Sequence, residues 1–201
     1  MLNFFKEVFK KGELRRKVVF TLGILFVFRL GAGIVIPYID TSAITSAATS
    51  SGIFGIMNML GGGTLEKFSL FSLGVSPYIT SSIIIELLSM DVIPALAQWN
   101  KEGNTGKKKK DKVTRVLTLA LAIIQGGSLT YAFDKGYSIL ASSSIWTYVY
   151  VVIVMAAGSM FTMWLGDQIT IKGVGNGTSL LIFTGIVANL PNSFISSFKS
   201  M

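Results

Sequence analysis

Long apolar runs recur along this chain, each separated from the next by a polar segment. The first covers residues 18–36 and stops at Pro37; others cover 68–90, 116–133, 146–166 and 178–198. A bilayer core of ~30 Å takes ~20 residues of helix to cross. The pattern therefore predicts an all-α membrane protein with five transmembrane helices. Residues 53–64 form a shorter apolar stretch closed by three glycines, too short to span and suited to a re-entrant or interfacial segment. Residues 1–17 interleave Leu2, Phe4, Phe5, Val8 and Phe9 with lysines, a pattern that predicts an amphipathic lead lying at the membrane surface. Residues 91–115 are strongly basic and predict a polar loop, and residues 18–201 read as one membrane domain.

Composition supports this picture. Hydrophobic residues make up 51% of the 201, and the mean hydropathy is +0.62. There is no cysteine and no histidine, which leaves no thiolate ligand, no imidazole base and no disulfide. These absences lower the expectation of an enzyme, and no cofactor or metal is predicted. The first apolar run is longer than a signal-peptide core and carries Arg29, so it reads as a retained helix.

The net charge of +8 is concentrated beside the spans. Six lysines and arginines precede the first span and seven lie in 91–115, against Lys67 and Lys135 alone in the two loops on the other side. Positively charged loops stay inside, so the N-terminus and the basic loop are predicted to be cytoplasmic and residue 201 extracellular.

Several segments admit a plain and a functional interpretation. Gly74-Val75-Ser76-Pro77-Tyr78-Ile79 predicts a helix kinked at Pro77. The run Lys107, Lys108, Lys109 and Lys110 predicts a solvated loop that sets topology and attracts anionic headgroups. It is not a nucleotide loop, because position 101 is Lys where a glycine is required and Lys108 follows Lys107. Gly173-Val174-Gly175-Asn176-Gly177 lacks the spacing of a dinucleotide fingerprint and predicts a turn into the last helix, with Asn176 as its cap. Asn176-Gly177-Thr178 is also a glycosylation triplet, silent on a cytoplasmic face.

Arg29, Glu86 and Gln125 fall within spans, where polar groups face protein or water. Arg29 lies ~17 Å into its span and Glu86 only ~6 Å from its cytoplasmic end, so a direct pair is not expected and Arg29 is assigned to carbonyls or another polar partner.

Two long stretches, FSLGVSPYITSSIIIELL from Phe71 and WLGDQITIKGVGNGTSLLIF from Trp164, resemble the signature motifs of the SecY family of protein-conducting channels. The intervening IFGIMNMLGGGTLEKFS and WNKEGNTGKKKKDKVTR resemble that family's plug region and first large cytoplasmic loop. The resemblance spans the chain and implies the first five of ten helices, one half of an inverted-repeat channel. The other wall of the lateral gate and the main docking loops would lie in the second half.

The resemblance further implies an apolar pore ring of Val75, Ile79 and Ile182. Thr178 holds a fourth ring position, where the family often carries an apolar residue. It implies a plug containing Ile53, Phe54, Ile56, Met57, Met59 and Leu60, and makes Glu86 and Gln125 polar candidates at the lateral gate. From the residues alone the kink is preferred; with the family, the ring is. The implied setting is a multi-pass protein of the bacterial plasma membrane. Implied partners are SecE, SecG, SecA or a ribosome, a preprotein substrate and membrane lipids, with no direct nucleic-acid contact. An isolated half would expose its concave face and is expected to self-associate in detergent. The rival expectations are half of a secondary transporter, disfavoured by the apolar ring positions, and a non-conducting membrane scaffold.

Overall fold

A computed structural model describes residues 12–40, 64, 67–90, 92–140 and 144–199. Among these residues six helices run in the order α1 (Gly12–Ala32), α2 (Ser76–Leu88), α3 (Pro94–Lys101), α4 (Asn104–Tyr137), α5 (Ile145–Lys172) and α6 (Gly177–Lys199). The described residues hold no extended strand, only isolated antiparallel bridges pairing Val35 with Ser69 and Ile39 with Leu140.

The helix limits correct the sequence expectations in three places. The span expected at 68–90 is helical only from Ser76 to Leu88, and the residues before it form a series of turns. Pro77 sits in the first turn of α2 rather than at a mid-helix kink. There its fixed φ suits the helix and its missing N–H costs nothing.

The basic segment 91–115 is not a loop. It folds into α3 and the first turns of α4. Lysine is a good helix former, so α4 continues past the apolar stretch into water. Its 34 residues reach about 51 Å, well beyond a ~30 Å hydrocarbon core.

Among the described residues the first helix runs from Gly12 to Ala32, so it is already helical before the apolar run at 18–36 begins and ends before that run does. Residues 12–17 therefore belong to α1, not to the lead. Arg29 stands in the last turn, where a cation complements the negative end of the helix dipole, not midway along the span. Residues 1–11 and the plug positions Ile53, Phe54, Ile56, Met57, Met59 and Leu60 lie outside the described residues.

Only α4, over Asn104–Gly136, and α5 are long and apolar enough to cross a membrane among the described residues; Ser76–Leu88 and Gly177–Ala188 are shorter apolar helices.

The helix ends gather into two groups. At one end, Val174 N–H donates to Thr21 Oγ1, Arg115 pairs with Asp167 at 2.8 Å, and Lys110 pairs with Glu86 at 2.7 Å. These contacts collect the first half of α1, the end of α2, the start of α4 and the α5–α6 turn. At the other end, Asp40 N–H donates to the Ile139 carbonyl at 2.8 Å, joining the segment after α1 to that after α4. The helices thus alternate in direction along the chain.

Two buried clusters hold the bundle. Ile24, Phe28, Ala32, Phe71, Leu165, Ile169 and Leu181 join α1, α5 and α6. Ile36, Phe68, Phe133, Ile139, Val151 and Met155 join α4 and α5 at the other end. Outside these clusters the surface is greasy. Val19, Leu22, Phe26 and Leu30 on α1, and Ile153, Phe161 and Trp164 on α5, are all exposed. In water such faces would be covered by a partner, whereas lipid accepts them at no cost.

Three buried threonine hydroxyls of α4 and α5 are satisfied within their own helices. Thr118, Thr130 and Thr162 donate to carbonyls four residues back, at 2.7 Å, 2.7 Å and 2.9 Å. This keeps polar atoms paired without an inter-helix partner.

Candidate functional site

The segment before α2 is set by aromatic packing. The Phe71 ring stacks on Phe28 at 5.6 Å and on Phe161 at 6.0 Å, and Gly31 allows that ring to press against the α1 backbone. Leu70 N–H donates to the Ile34 carbonyl at 2.8 Å, and Ser159 Oγ donates to the Gly74 carbonyl at 3.1 Å. Gly74 takes a φ of +53°, a conformation that costs a side chain strain. The chain then enters α2 with Val75 at its N-terminal boundary, and Ile79 follows one turn later on the same face.

Val75 and Ile79 line a cavity of about 720 Å³ together with Ile182, Leu181 and Gly185 of α6, Phe28 of α1 and Ile124, Gln125 and Leu129 of α4. The lining is mostly apolar. Of its three serines, Ser72 donates to main-chain carbonyls of Thr64 and Ser69, and Ser128 to that of Ile124, while Ser76 is exposed at the start of α2. Gln125 contributes the one side-chain amide of this lining.

A second cavity, about 590 Å³, has the opposite character. Tyr78, Ser82 and Glu86 of α2 line it with Trp99 and Asn100 of α3, Lys107, Lys110, Asp111 and Arg115 of α4, Asp167 and Thr170 of α5, and Asn176 and Thr178 at the start of α6. Its charges are balanced. The largely buried Lys110 donates to Glu86 at 2.7 Å and to Asn100 Oδ1 at 3.4 Å, and Arg115 donates to Asp167 at 2.8 Å. Lys109 points elsewhere and pairs with Glu102 at 2.9 Å on the surface, where such a pair contributes little.

Two helices cross from one cavity to the other. Along α2 the apolar positions 75 and 79 give way to the polar stripe 78, 82 and 86. Along α6, running the other way, Thr178 faces the polar cavity and Ile182, one turn on, the apolar one.

The four ring positions expected from sequence thus divide: Val75, Ile79 and Ile182 share the apolar cavity, while Thr178 lies with the charged groups. Glu86 and Gln125, expected at one polar cluster, line different cavities. Of the basic run, Lys107 and Lys110 line the polar cavity and Lys108 is exposed. Asn176 Oδ1 accepts from Ser179 N–H at 3.2 Å in the first turn of α6.

Tyr78 and Ser82 are not among the residues expected from sequence at the polar cavity, and the signal that finds them is their four-residue spacing with Glu86, the period of one helix face. The Arg115–Asp167 pair spans 52 residues and left no local signal. No cluster of three or more metal-ligating side chains occurs among the described residues.

Comparison with known proteins follows the same lines. The family model described as SecY matches residues 69–201. The chain is 44% identical to protein translocase subunit SecY 1 of Lactobacillus kefiranofaciens subsp. kefiranofaciens, over 99% of this chain and 46% of that protein. It is 41% identical to protein translocase subunit SecY of Bacillus subtilis, over 96% of this chain and 45% of that protein. The chain therefore spans about half the length of the curated relatives it matches. Among solved structures, Sec61 in the canine ribosome-channel complex from the endoplasmic reticulum superposes with a TM-score of 0.59 at 18% identity, covering 85% of this chain and 36% of that one. A second structure, described as that of a protein conducting channel, gives the same values. At that identity the likeness is one of fold.

Proposed function

This chain belongs to the SecY family, and on that premise we propose that it forms one half of a channel that passes unfolded preproteins across the bacterial plasma membrane and releases hydrophobic segments into lipid. The observation that carries the proposal is the pair of cavities shared by α2 and α6, one apolar and one charged. The polar cavity is half of a cytoplasmic vestibule that a hydrated polypeptide can enter. The apolar cavity, with Val75, Ile79 and Ile182, is half of the constriction. An ion there loses hydration and meets no compensating partner, while flexible aliphatic side chains part for a peptide. The family is one of protein-conducting channels, not of enzymes, and no residue is assigned a chemical step.

The spans are α1, α2 with the turns that precede it, α4, α5 and α6, and residues 53–64 supply the plug. Glu86 and Gln125 border the lateral gate, Glu86 at the vestibule and Gln125 at the constriction. SecE, SecG and either SecA or a ribosome are the partners; the canine neighbour's place in a ribosome-channel complex favours a docking partner of this class. Membrane lipids cover the apolar faces of α1 and α5, and the half alone self-associates in detergent through its concave face.

The α1 start, the α5–α6 turn and the lysine-rich start of α4 face the cytoplasm. In the full-length channel, Lys108→Cys is then shielded from a membrane-impermeant thiol reagent outside intact cells, while Gly136→Cys is labelled. The reverse pattern, or equal labelling, contradicts the orientation.

The function itself is tested with the full-length channel in proteoliposomes. Preprotein import driven by a motor ATPase, without saturable uptake of small solutes, is expected. Saturable solute uptake favours a transporter, and failure to import with intact partners favours a scaffold.

A further inference from the structure

We propose that Thr21 of α1 is a positioning residue for the constriction, acting through the α5–α6 turn. The proposal rests on the assignment of Ile182 to the constriction.

Thr21 is buried, and its hydroxyl is used twice. It donates to the Lys17 carbonyl at 2.9 Å and accepts from Val174 N–H at 3.1 Å. The first bond holds the side chain in one rotamer, and the second fastens the turn to α1. Gly173 lies so close that a Cβ at that position would stand 2.5 Å from Thr21 Oγ1. The turn is therefore seated on α1 by contact as well as by hydrogen bond.

Two further side chains hold the turn, both local to it. Thr170 Oγ1 accepts from Gly177 N–H at 2.9 Å, and Asn176 Oδ1 accepts from Ser179 N–H at 3.2 Å. Gly177 abuts the Gly166 carbonyl, so α5 and α6 meet backbone to backbone. These contacts fix the turn's shape. Thr21 ties that shape to another helix and so fixes where α6 stands relative to α1.

The consequence reaches the cavity along both helices. Thr21, Ile24 and Phe28 lie on one buried face of α1, and Phe28 lines the apolar cavity seven residues beyond Thr21. Along α6, Ile182 follows the turn by a turn and a half. The Thr21 to Val174 bond thus joins α1, part-way along its length, to the turn that starts α6, and Phe28 and Ile182 further along these two helices both line the cavity.

Valine is nearly isosteric with threonine but lacks the hydroxyl, and serine retains it. Three versions of the full-length channel, Thr21→Val, Thr21→Ser and Thr21→Ala, are compared with wild type by two measurements. Amide exchange at Val174 reads the bond, and ion conductance of the closed channel reads the seal.

We expect Thr21→Val and Thr21→Ala to expose the Val174 amide and raise the leak. The loss of one ordinary hydrogen bond corresponds to roughly a 2- to 10-fold change. Thr21→Ser should stay near wild type in both measurements, a rescue that simple loss of packing does not predict. Thr21→Ala covers the case in which valine fails to accumulate.

Unchanged exchange in Thr21→Val or Thr21→Ala overturns the proposal at the bond. Faster exchange with an unchanged leak overturns it at the constriction, as does a leak equally raised by serine. Ile79→Asn, measured in parallel, separates this failure from that of the constriction: if Ile79→Asn leaks and Thr21→Val seals, only the role of Thr21 falls.

Discussion

Ile79→Asn, introduced into the full-length channel, is expected to make the closed pore leak ions. Ile79 is half-buried and lines the apolar cavity with Val75 and Ile182. The hydroxyls of Ser72 and Ser128 in that lining are bonded to main-chain carbonyls, which leaves Ser76 and Gln125 as the polar side chains that entering water can meet. An amide at 79 supplies both a donor and an acceptor. Removing ~1–3 kcal/mol of desolvation cost corresponds to a rise in ion occupancy of roughly 5- to 150-fold. Ile79→Leu, which changes shape but not polarity, should keep the seal. Planar-bilayer conductance decides it: wild-type conductance in Ile79→Asn at normal channel abundance removes Ile79 from the constriction.

The second large effect is on stability. Gly158 of α5 packs directly on the Leu70 carbonyl, and a Cβ at 158 would occupy the space of that main-chain group. The obstacle is backbone, held in turn by the Leu70 to Ile34 hydrogen bond and by the neighbouring Ser159 to Gly74 bond. Gly158→Val therefore forces the turns before α2 away from α5, an overpacking cost of about 1–3 kcal/mol or more.

Gly23 of α1 is the contrasting case. It is exposed, and a Cβ at that position would meet nothing within 4 Å. Gly23→Ala is therefore expected to stabilise by roughly 0.5–1 kcal/mol. Thermal unfolding in detergent should move the two midpoints in opposite directions. A neutral Gly158→Val contradicts the close packing of α5 on residue 70.

Much of this architecture is legible in the sequence, because immersion in lipid imposes long apolar runs that no other solvent demands. The fourth and fifth runs match α5 and α6 to within a few residues on most boundaries. What apolar content reports, however, is depth in the membrane and not helicity.

That distinction explains the corrected segments. Residues 67–75 are apolar yet turn, because their carbonyls and amides find partners in Ile34, Thr64 and Ser159 rather than in a helix of their own. Residues 104–115 are polar yet helical, because lysines extend α4 into water without penalty. The kink expected at Pro77 fails for a related reason: the same residue kinks a helix from within and starts one at its first turn.

The site was legible in its residue types and less so in its grouping. Val75 and Ile79 share a face by spacing alone, and Tyr78, Ser82 and Glu86 form a polar stripe by the same rule. The assignment of Thr178 to the polar side depends on where α6 begins relative to α2, which spacing within one helix cannot state. The Lys110–Glu86 and Arg115–Asp167 pairs and the Thr21–Val174 bond link elements far apart in sequence and arise only once the helices are packed.

The most direct measurement places a photo-crosslinking residue at position 79, 182 or 26 of the full-length channel while a preprotein is arrested during translocation. Positions 79 and 182 line the apolar cavity, and Phe26 is exposed on the outer face of α1. Adducts to the arrested chain from 79 and 182, with none from 26, are predicted. An arrested chain that crosslinks to 26 as strongly as to 79, or not at all to 79 and 182, contradicts passage through this cavity.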